Sequence, residues 1–428
     1  MTKQRLLVIG NGMASVRFLE ALTRAGADRF AVTVVGAEPD AGYNRVLLSA
    51  LLAGDVARED ISLRGREWYA ARGIELVTGD AVAAVDGAAK VAILASGRSI
   101  GFETCVFATG SEAFRLPIPG IDRPGVMTFR DLRDVAAMER AATAGAKIAV
   151  IGGGLLGIEA AYGLGKLGAD VTLVHVMDRL MERQLDAPAA RLLKRAIQRM
   201  KISVLLQKQT LEIVGAERDS SAPASGLRFA DGTELAVDLV ICAVGIKPEA
   251  ALARTAGLAT ARGIVVDDRM TASLPGFHAI GECAEHRGIA YGLVEPAYAQ
   301  AEVLARHLNG ETADFEGMVL ATNLKVSGVP VFSAGDFIGG DDATCAVIED
   351  RDLGIYRKLV FSGDRLAGCV LVGEAEDGLW YLDLIRRGVD ISAARHELLH
   401  GRAFAEALLP EAEPAARAHV ATKLAEAA

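Results

Sequence analysis

The stretch Ile148-Ala149-Val150-Ile151-Gly152-Gly153-Gly154-Leu155-Leu156-Gly157 runs from four apolar, strand-forming residues through clustered glycines into a helical pattern carried by Ile158, Ala161, Leu164 and Leu167. A β-branched run, Val171-Thr172-Leu173-Val174, follows. The order reads as a βαβ unit with parallel strands and a right-handed crossover. The same order occurs earlier: Leu6-Leu7-Val8-Ile9-Gly10-Asn11-Gly12-Met13-Ala14-Ser15, then Phe18, Leu19 and Leu22, then Val32-Thr33-Val34-Val35. Two such units predict an α/β chain with two Rossmann-like, nucleotide-binding domains.

In a dinucleotide turn the first glycine makes the tight bend and the second lets the backbone approach a pyrophosphate. The third lets helix and strand pack closely. Gly152, Gly154 and Gly157 fill all three places. Gly10 and Gly12 fill the first two, and Ser15 stands in the third as a small substitute. The helix that follows offers amide donors and a partial positive charge to phosphates. An acidic residue after the second strand should take a ribose hydroxyl pair, and Glu38 fits that place. In the second unit the corresponding position is His175, with Asp178 and Arg179 just beyond. No carboxylate ends that strand to repel a 2′-phosphate. Arg179 either attracts one or is simply solvated, so NADH against NADPH stays open.

Three further strand ends stand where a ligand would cross: Cys105–Gly110, Cys242–Pro248 and Ala279–Ala284. Gly110 and Gly245 allow close backbone approach, or mark plain exits from a strand. Glu282 is placed to accept a polyol hydroxyl, or is a surface carboxylate. His286, Tyr291 and Glu295 follow it and either face the same ligand or are ordinary polar residues at a helix entry.

The 428 residues suggest two to four domains, and 51% apolar with 24% charged residues is an ordinary globular balance. A net charge of −9 argues against a general phosphate grip on nucleic acid. No apolar run reaches the roughly 18 residues of a membrane span. The start leads directly into a strand with no signal-peptide pattern, so a cytoplasmic location is expected. Five cysteines (105, 242, 283, 345 and 369) offer no CxxC pair, no metal set and no clustered thiolates for an iron–sulfur centre. Alternating runs at Ala81–Val85 and Val91–Leu94, and at Thr210–Val214 and Leu227–Phe229, predict antiparallel appendages, the latter pair joined by a polar loop from Glu217 to Gly226. After about Gly317, short runs at Val319–Val326, Cys345–Ile348, Tyr356–Phe361 and Arg365–Val372 and then a helical tail predict an α+β domain. An Ala/Glu-rich helix is expected beyond Pro410.

The ordered set Gly10-Asn11-Gly12, Ala108-Thr109-Gly110, Gly152–Gly157 with Glu159, Val244-Gly245 and Gly281-Glu282 resembles the pyridine nucleotide–disulfide oxidoreductase class of flavoprotein reductases. Gly36-Ala37-Glu38-Pro39, Tyr43–Ser49 and above all His175–Asp186 are similar to the N-terminal flavin module of assimilatory NAD(P)H-nitrite reductase large subunits. Rubredoxin reductases share much of the pattern. The resemblance implies a FAD domain at 1–117 and 245–316, an NAD(P) domain at 118–244 inserted into it, and an α+β interface domain at 317–428. It implies FAD contacts at Gly10, Gly12, Ser15, Glu38, Arg45, Thr109, Gly110 and Glu282, and NAD(P)H contacts at Gly152, Gly154, Gly157 and His175. Glu159 would lie near the nicotinamide, as a positioning group, and Gly245 would mark the return from the NAD(P) to the FAD domain.

Two departures limit that transfer. Ser15 replaces a glycine, and Ala50 stands where ferredoxin-type relatives carry a lysine. The segment from Gly42 to Ala53 holds no cysteine, which argues against disulfide or peroxide reduction. The iron–sulfur and siroheme regions of full-length nitrite reductases are not among these residues, so nitrite reduction by this chain alone is not expected. The expected activity is that of an FAD-dependent NAD(P)H oxidoreductase. It would pass electrons to a small redox protein or a nitrate/nitrite reductase component, in the cytoplasm, as a monomer or homodimer, without metal. The alternatives are a rubredoxin or ferredoxin reductase, a nicotinamide-sensing flavoprotein with negligible turnover, and a structural protein with degenerate nucleotide sites.

Overall fold

The computed structural model describes residues 3–24, 29–215, 221–326 and 329–410. It forms two compact units: one from Met1–Leu51, Asp55–Phe114 and Ile246–Gly317, the other from Leu52–Gly54, Arg115–Gly245 and Met318–Ala428.

In the first unit a five-stranded parallel sheet has the spatial order Phe277–Ala279, Thr104–Phe107, Gln4–Ile9, Phe30–Gly36, Glu75–Thr78. The central strand is flanked by strands reached in opposite directions along the chain, which makes a topological switch point at its carboxyl end. Val8 pairs with Val34 on one side and Val106 on the other, and all three are fully buried. Such strands read as continuous apolar runs because both faces are covered. Helix Met13–Arg24 buries Val16, Phe18, Leu19 and Leu22 and packs beside helix Val294–Leu308. The expected appendage is a three-stranded antiparallel sheet, Val82–Asp86, Val91–Leu94 and Ser99–Gly101.

The second unit repeats the plan. Its parallel sheet has the order Ser203–Leu205, Asp170–Val174, Lys147–Ile151, Leu239–Cys242, Val126–Thr128. Helix Leu155–Lys166 follows the glycine turn, and helix Ala187–Arg199 starts at an Asp186 N-cap with a proline in its first turn. The antiparallel appendage is Thr210–Gly215, Ala224–Phe229 and Glu234–Ala236. Its second strand starts at Ala224, before the expected Leu227. Part of the expected polar loop, 217–220, lies outside the described residues, as does the helix expected beyond Pro410.

The C-terminal part of this unit is an antiparallel sheet of five strands in the order Ala321–Val326, Val329–Gly335, Arg365–Val372, Ile355–Ser362, Thr344–Asp350. The sequence reading missed Val329–Gly335. Pro330 argues against a strand interior, but here it sits second in the strand, where the first ladder positions tolerate it. Helix Gly378–Arg387 covers the sheet, around Phe332, Leu359, Leu371, Tyr381 and Leu382. Helix Ala187–Arg199 packs on strands Ile355–Ser362 and Arg365–Val372, and helix Leu155–Lys166 meets strand Ala321–Val326. Among the described residues no helix is long and apolar enough to cross a membrane.

Candidate functional site: two glycine turns

The two turns share one backbone. Gly10 has φ +106° and Gly152 φ +125°, and a Cβ at either would stand 2.1 Å from a carbonyl oxygen, of Ala108 and Ala243 respectively. Only glycine meets both demands. Gly10 N–H donates to Val35 O at 2.8 Å and Gly152 N–H to Val174 O at 2.9 Å, so each turn is tied to its second strand. At Gly12 and Gly154 the opposite holds. A Cβ there would have no neighbour within 4 Å, so both open onto free space at a helix start. Gly154 is the N-cap of its helix and supplies no side-chain cap, which leaves first-turn amides to an outside acceptor. At the third position Gly157 lies so close that a Cβ would stand 1.8 Å from Gly152 O, whereas Ser15 is accommodated with its side chain wholly buried.

Around the first turn the structure gathers most of the expected residues at the carboxyl edge of the sheet. Glu38 follows the second strand; it accepts the Tyr43 hydroxyl at 2.7 Å and is paired with Arg45, whose guanidinium lies 5.0 Å from the Tyr43 ring centre. Thr109 Oγ1 donates to Glu249 O at 2.7 Å, and Gly110 takes φ +72° just beyond. Glu282 lies in the short 3-10 turn Gly281–Cys283 and accepts the Ser111 hydroxyl at 2.7 Å. A Cβ on Gly281 would be 2.9 Å from Ala14, so this turn lies directly on the start of helix Met13–Arg24. Buried Asn11 Nδ2 and Ser15 Oγ, a donor and a hydroxyl, have no protein partner. The open Gly12 cradle and these two groups fit a bound dinucleotide.

Three residues of this region escaped sequence reading. Asn11 accepts the Tyr69 hydroxyl at 2.9 Å, Ser111 holds Glu282, and fully buried Gln300 accepts the Gly281 N–H at 2.8 Å. Ser111 was legible only as a neighbour of Gly110, and Gln300 sits in an unremarkable helix far along the chain. His286 is fully buried, with Nε2 at 2.8 Å from Asp268, which also binds Arg287. Tyr291 is buried with its ring against Phe315, and Glu295 lies in the first turn of helix Val294–Leu308. A hydrogen bond from Glu112 to Glu249 raises Glu112 above the ordinary carboxylate range, beside Thr109.

At the second turn His175 is 8% exposed and both ring nitrogens are engaged: Nδ1 accepts the Gly153 N–H at 3.0 Å, and Nε2 lies 3.0 Å from Glu182. The first bond puts the proton on Nε2. The imidazole thus holds the glycine turn from beneath. Arg179 is turned to Asp178 at 3.0 Å, with its Nε buried and unpartnered. Glu159 is half-buried in the first half of helix Leu155–Lys166. Gly245 takes φ +114° with open space around its α-carbon, at the last residue before the chain re-enters the first unit.

All five cysteines are free thiols. Burial raises Cys105, Cys242 and Cys283 above the ordinary thiol range and pushes Cys369 up to about 12, so these remain protonated. Cys345 alone is exposed.

Residues 4–303 match the pyridine nucleotide-disulphide oxidoreductase family, and residues 321–389 the rubredoxin NAD+ reductase C-terminal domain. The chain belongs to the pyridine nucleotide-disulphide oxidoreductase family, and is an oxidoreductase that works with FAD and NAD(P)H. It is 47% identical over 393 residues to a nitrite reductase [NAD(P)H] of Bacillus subtilis (strain 168), covering 92% of this chain and 48% of that one. It is 40% identical over 400 residues to the assimilatory nitrate reductase electron transfer subunit of the same organism, covering 93% of this chain and 51% of the other. The chain thus spans about half the length of these curated relatives. Among solved structures it is similar to a ferredoxin reductase from Rhodopseudomonas palustris, with TM-score 0.80 and 25% identity over 88% of this chain and 92% of the other.

Proposed function

We propose that this chain is the reductase module that takes electrons from NAD(P)H and delivers them to a separate redox protein of nitrate or nitrite assimilation. The observation that carries this reading is the repetition of one open glycine turn in two units of the same chain. FAD is assigned to the turn at Gly10 and NAD(P)H to the turn at Gly152. A bound FAD would supply the redox chemistry that accepts a hydride equivalent from NAD(P)H and releases electrons to an acceptor.

The chain's own residues bind, orient and exclude water. Gly12 and Gly154 let backbone approach a pyrophosphate, and the two helix starts supply amide donors to it. Ser15 and Asn11 add polar side-chain groups at the first turn. Glu38, steadied by Tyr43 and Arg45, would take a ribose hydroxyl pair, while Thr109, Gly110 and Glu282 would line the rest of the FAD. Gly157 sets the helix against the second turn, His175 shapes that turn from below, and Glu159 would position the nicotinamide end. Gly245 lets the chain pass between the two nucleotide-binding parts. Hydride transfer needs no side-chain acid or base, so none is assigned. The buried, protonated cysteines give the electrons no resident disulfide to reduce, which supports an external acceptor.

A second reading, a reductase of rubredoxin or ferredoxin, is favoured by the match of residues 321–389 to the rubredoxin reductase C-terminal domain. Anaerobic titration with NADH and then NADPH tests the shared core. Bleaching of the flavin by about two electrons per FAD is expected, with one donor preferred. A yellow protein bleached by neither donor would overturn the assignment in favour of a sensor. Stopped-flow reduction of rubredoxin against a nitrite reductase catalytic partner then separates the two acceptors.

A further inference from the structure

Asp186 ends the segment His175–Asp186 and joins three parts of the second unit. One carboxylate oxygen accepts the Ala189 N–H at 3.2 Å as the N-cap of helix Ala187–Arg199. The other accepts the Tyr356 hydroxyl at 2.7 Å and lies 3.4 Å from Lys358 Nζ. Tyr356 and Lys358 belong to strand Ile355–Ser362 of the C-terminal sheet and are only 2% and 8% exposed. Lys358 Nζ also donates to Ile338 O at 3.1 Å. A buried ammonium held this way depends on its carboxylate partner. Burial and the neighbouring carboxylate push the Tyr356 phenol above its ordinary range, so its hydroxyl remains a donor.

The segment's other end is tied to the glycine turn. Met181 N–H donates to Gly153 O at 2.9 Å, Glu182 meets His175 Nε2, and His175 Nδ1 accepts Gly153 N–H. Gln184 and Leu185 N–H both donate to Met181 O at 2.8 Å, which carries the connection on toward Asp186. Met181, midway, has φ +50°. A non-glycine residue in that region persists when its surroundings hold it there. Hydrogen bonds therefore run without a gap from Gly153 to Met181 and His175, while Asp186 fixes the far end to the C-terminal sheet.

We propose that Tyr356 and Lys358 are positioning residues for the nicotinamide nucleotide: through Asp186 they hold residues 175–186, and with them the Gly153 turn, in the conformation that receives NAD(P)H. The inference rests on the assignment of NAD(P)H to that turn. It gives the C-terminal sheet a share in donor binding without touching the donor.

The test uses the full-length, FAD-loaded protein, with ADP-ribose binding by calorimetry and steady-state kinetics with ferricyanide as acceptor. Tyr356→Phe is expected to weaken ADP-ribose and raise the KM for the preferred donor about three- to tenfold, at unchanged kcat. Asp186→Asn keeps a capping oxygen but loses the ion pair, and should weaken binding at least as much. Lys358→Arg should recover affinity that Lys358→Met loses. A purely structural role would lower the thermal midpoint and leave ADP-ribose affinity alone, and that result overturns the inference. Gly154→Val separates the two levels. If the wild type does not bind ADP-ribose, or Gly154→Val binds it unchanged, the nucleotide assignment fails and the positioning role with it. If Gly154→Val loses binding while Tyr356→Phe and Asp186→Asn keep full affinity, the positioning role alone fails. Should Asp186→Asn not fold, Tyr356→Phe, which removes a single oxygen, decides the matter.

Discussion

At the turn Gly10–Ser15 the space between the glycines and the second strand is filled from the turn, by Asn11, and the strand ends in Gly36. At the turn Gly152–Gly157 the same space is filled from the strand, by His175, and the turn has Gly153. A Cβ on Gly36 would lie 3.1 Å from the Asn11 Cβ, and one on Gly153 would lie 2.5 Å from the His175 ring. Each turn has room for one side chain there, and the two units have placed it on opposite partners. The choice has chemical consequences. Asn11 leaves a buried amide donor unpartnered at the first turn, whereas His175 satisfies both its nitrogens within the protein. The first turn is thereby equipped to grip a ligand with side chains, and the second presents mostly backbone. That difference suits a resident cofactor in one unit and an exchanging one in the other.

The most severe way to break the comparison lies at its third position. Gly157→Ala puts a methyl 1.8 Å from Gly152 O and should cost about 3 kcal/mol or more, read as a loss of the folded second unit in chemical denaturation. Ser15→Ala at the matching place keeps the Cβ and removes only an unpartnered hydroxyl. It should shift stability by less than about 1 kcal/mol. Equal losses for the two variants would show that the helix starts are packed alike after all.

Gly12→Val and Gly154→Val ask which turn holds which cofactor. The first should yield a colourless protein by blocking backbone approach to the FAD pyrophosphate. The second should stay yellow and lose donor affinity by about tenfold or more. Retention of flavin by Gly12→Val would break the assignment.

The exchange of filler can be tested by moving it. Gly153→Asn alone should be destabilising by about 2–4 kcal/mol, because its Cβ meets the imidazole. Gly153→Asn with His175→Gly should recover about 1–3 kcal/mol of that as coupling in a double-mutant cycle. Additive costs would mean the two sites are independent and the apparent exchange is coincidence.

A smaller effect distinguishes the units by pH. In the first unit burial, and then the nearby His307, push His278 down to about 4 from its ordinary 6.5. Between those values the unfolded chain takes up a proton that the folded one does not. The stabilisation is complete above about pH 6.5 and falls by up to about 1.4 kcal/mol per pH unit until pH drops through about 4. Flavin fluorescence during urea unfolding, from pH 7.5 to 4.5, should show this slope, and His278→Gln should flatten it.

Much of the architecture was legible in the residues. Apolar runs such as Leu6–Ile9 and Ile148–Ile151 have to be buried on both faces, and glycines that bend directly after them leave few topologies open. The strand Val329–Gly335 was not legible, because Pro330 weakens the local signal and only its partners, Ala321–Val326 and Arg365–Val372, supply the missing preference. The site divides in the same way. The backbone positions, Gly10, Gly12, Gly152, Gly154 and Gly157, were readable because a steric demand on one residue writes itself into that residue.

The side chains were less so, because their partners come from distant stretches. Glu282 is held by Ser111, and Gln300 secures the Gly281 turn across a gap of helix and loop. His175 is the plainest instance. Its place after the second strand marked it as a residue of the nucleotide turn, and only the structure shows its ring engaged by Gly153 and Glu182. By itself the sequence determined a doubled dinucleotide fold and no resident disulfide near the first turn, since strand pattern, glycine spacing and cysteine count are local facts. Only the tertiary structure decided which side chain fills each turn and that Asp186 joins the second turn to the C-terminal sheet, because those choices depend on contacts between residues that the chain keeps far apart.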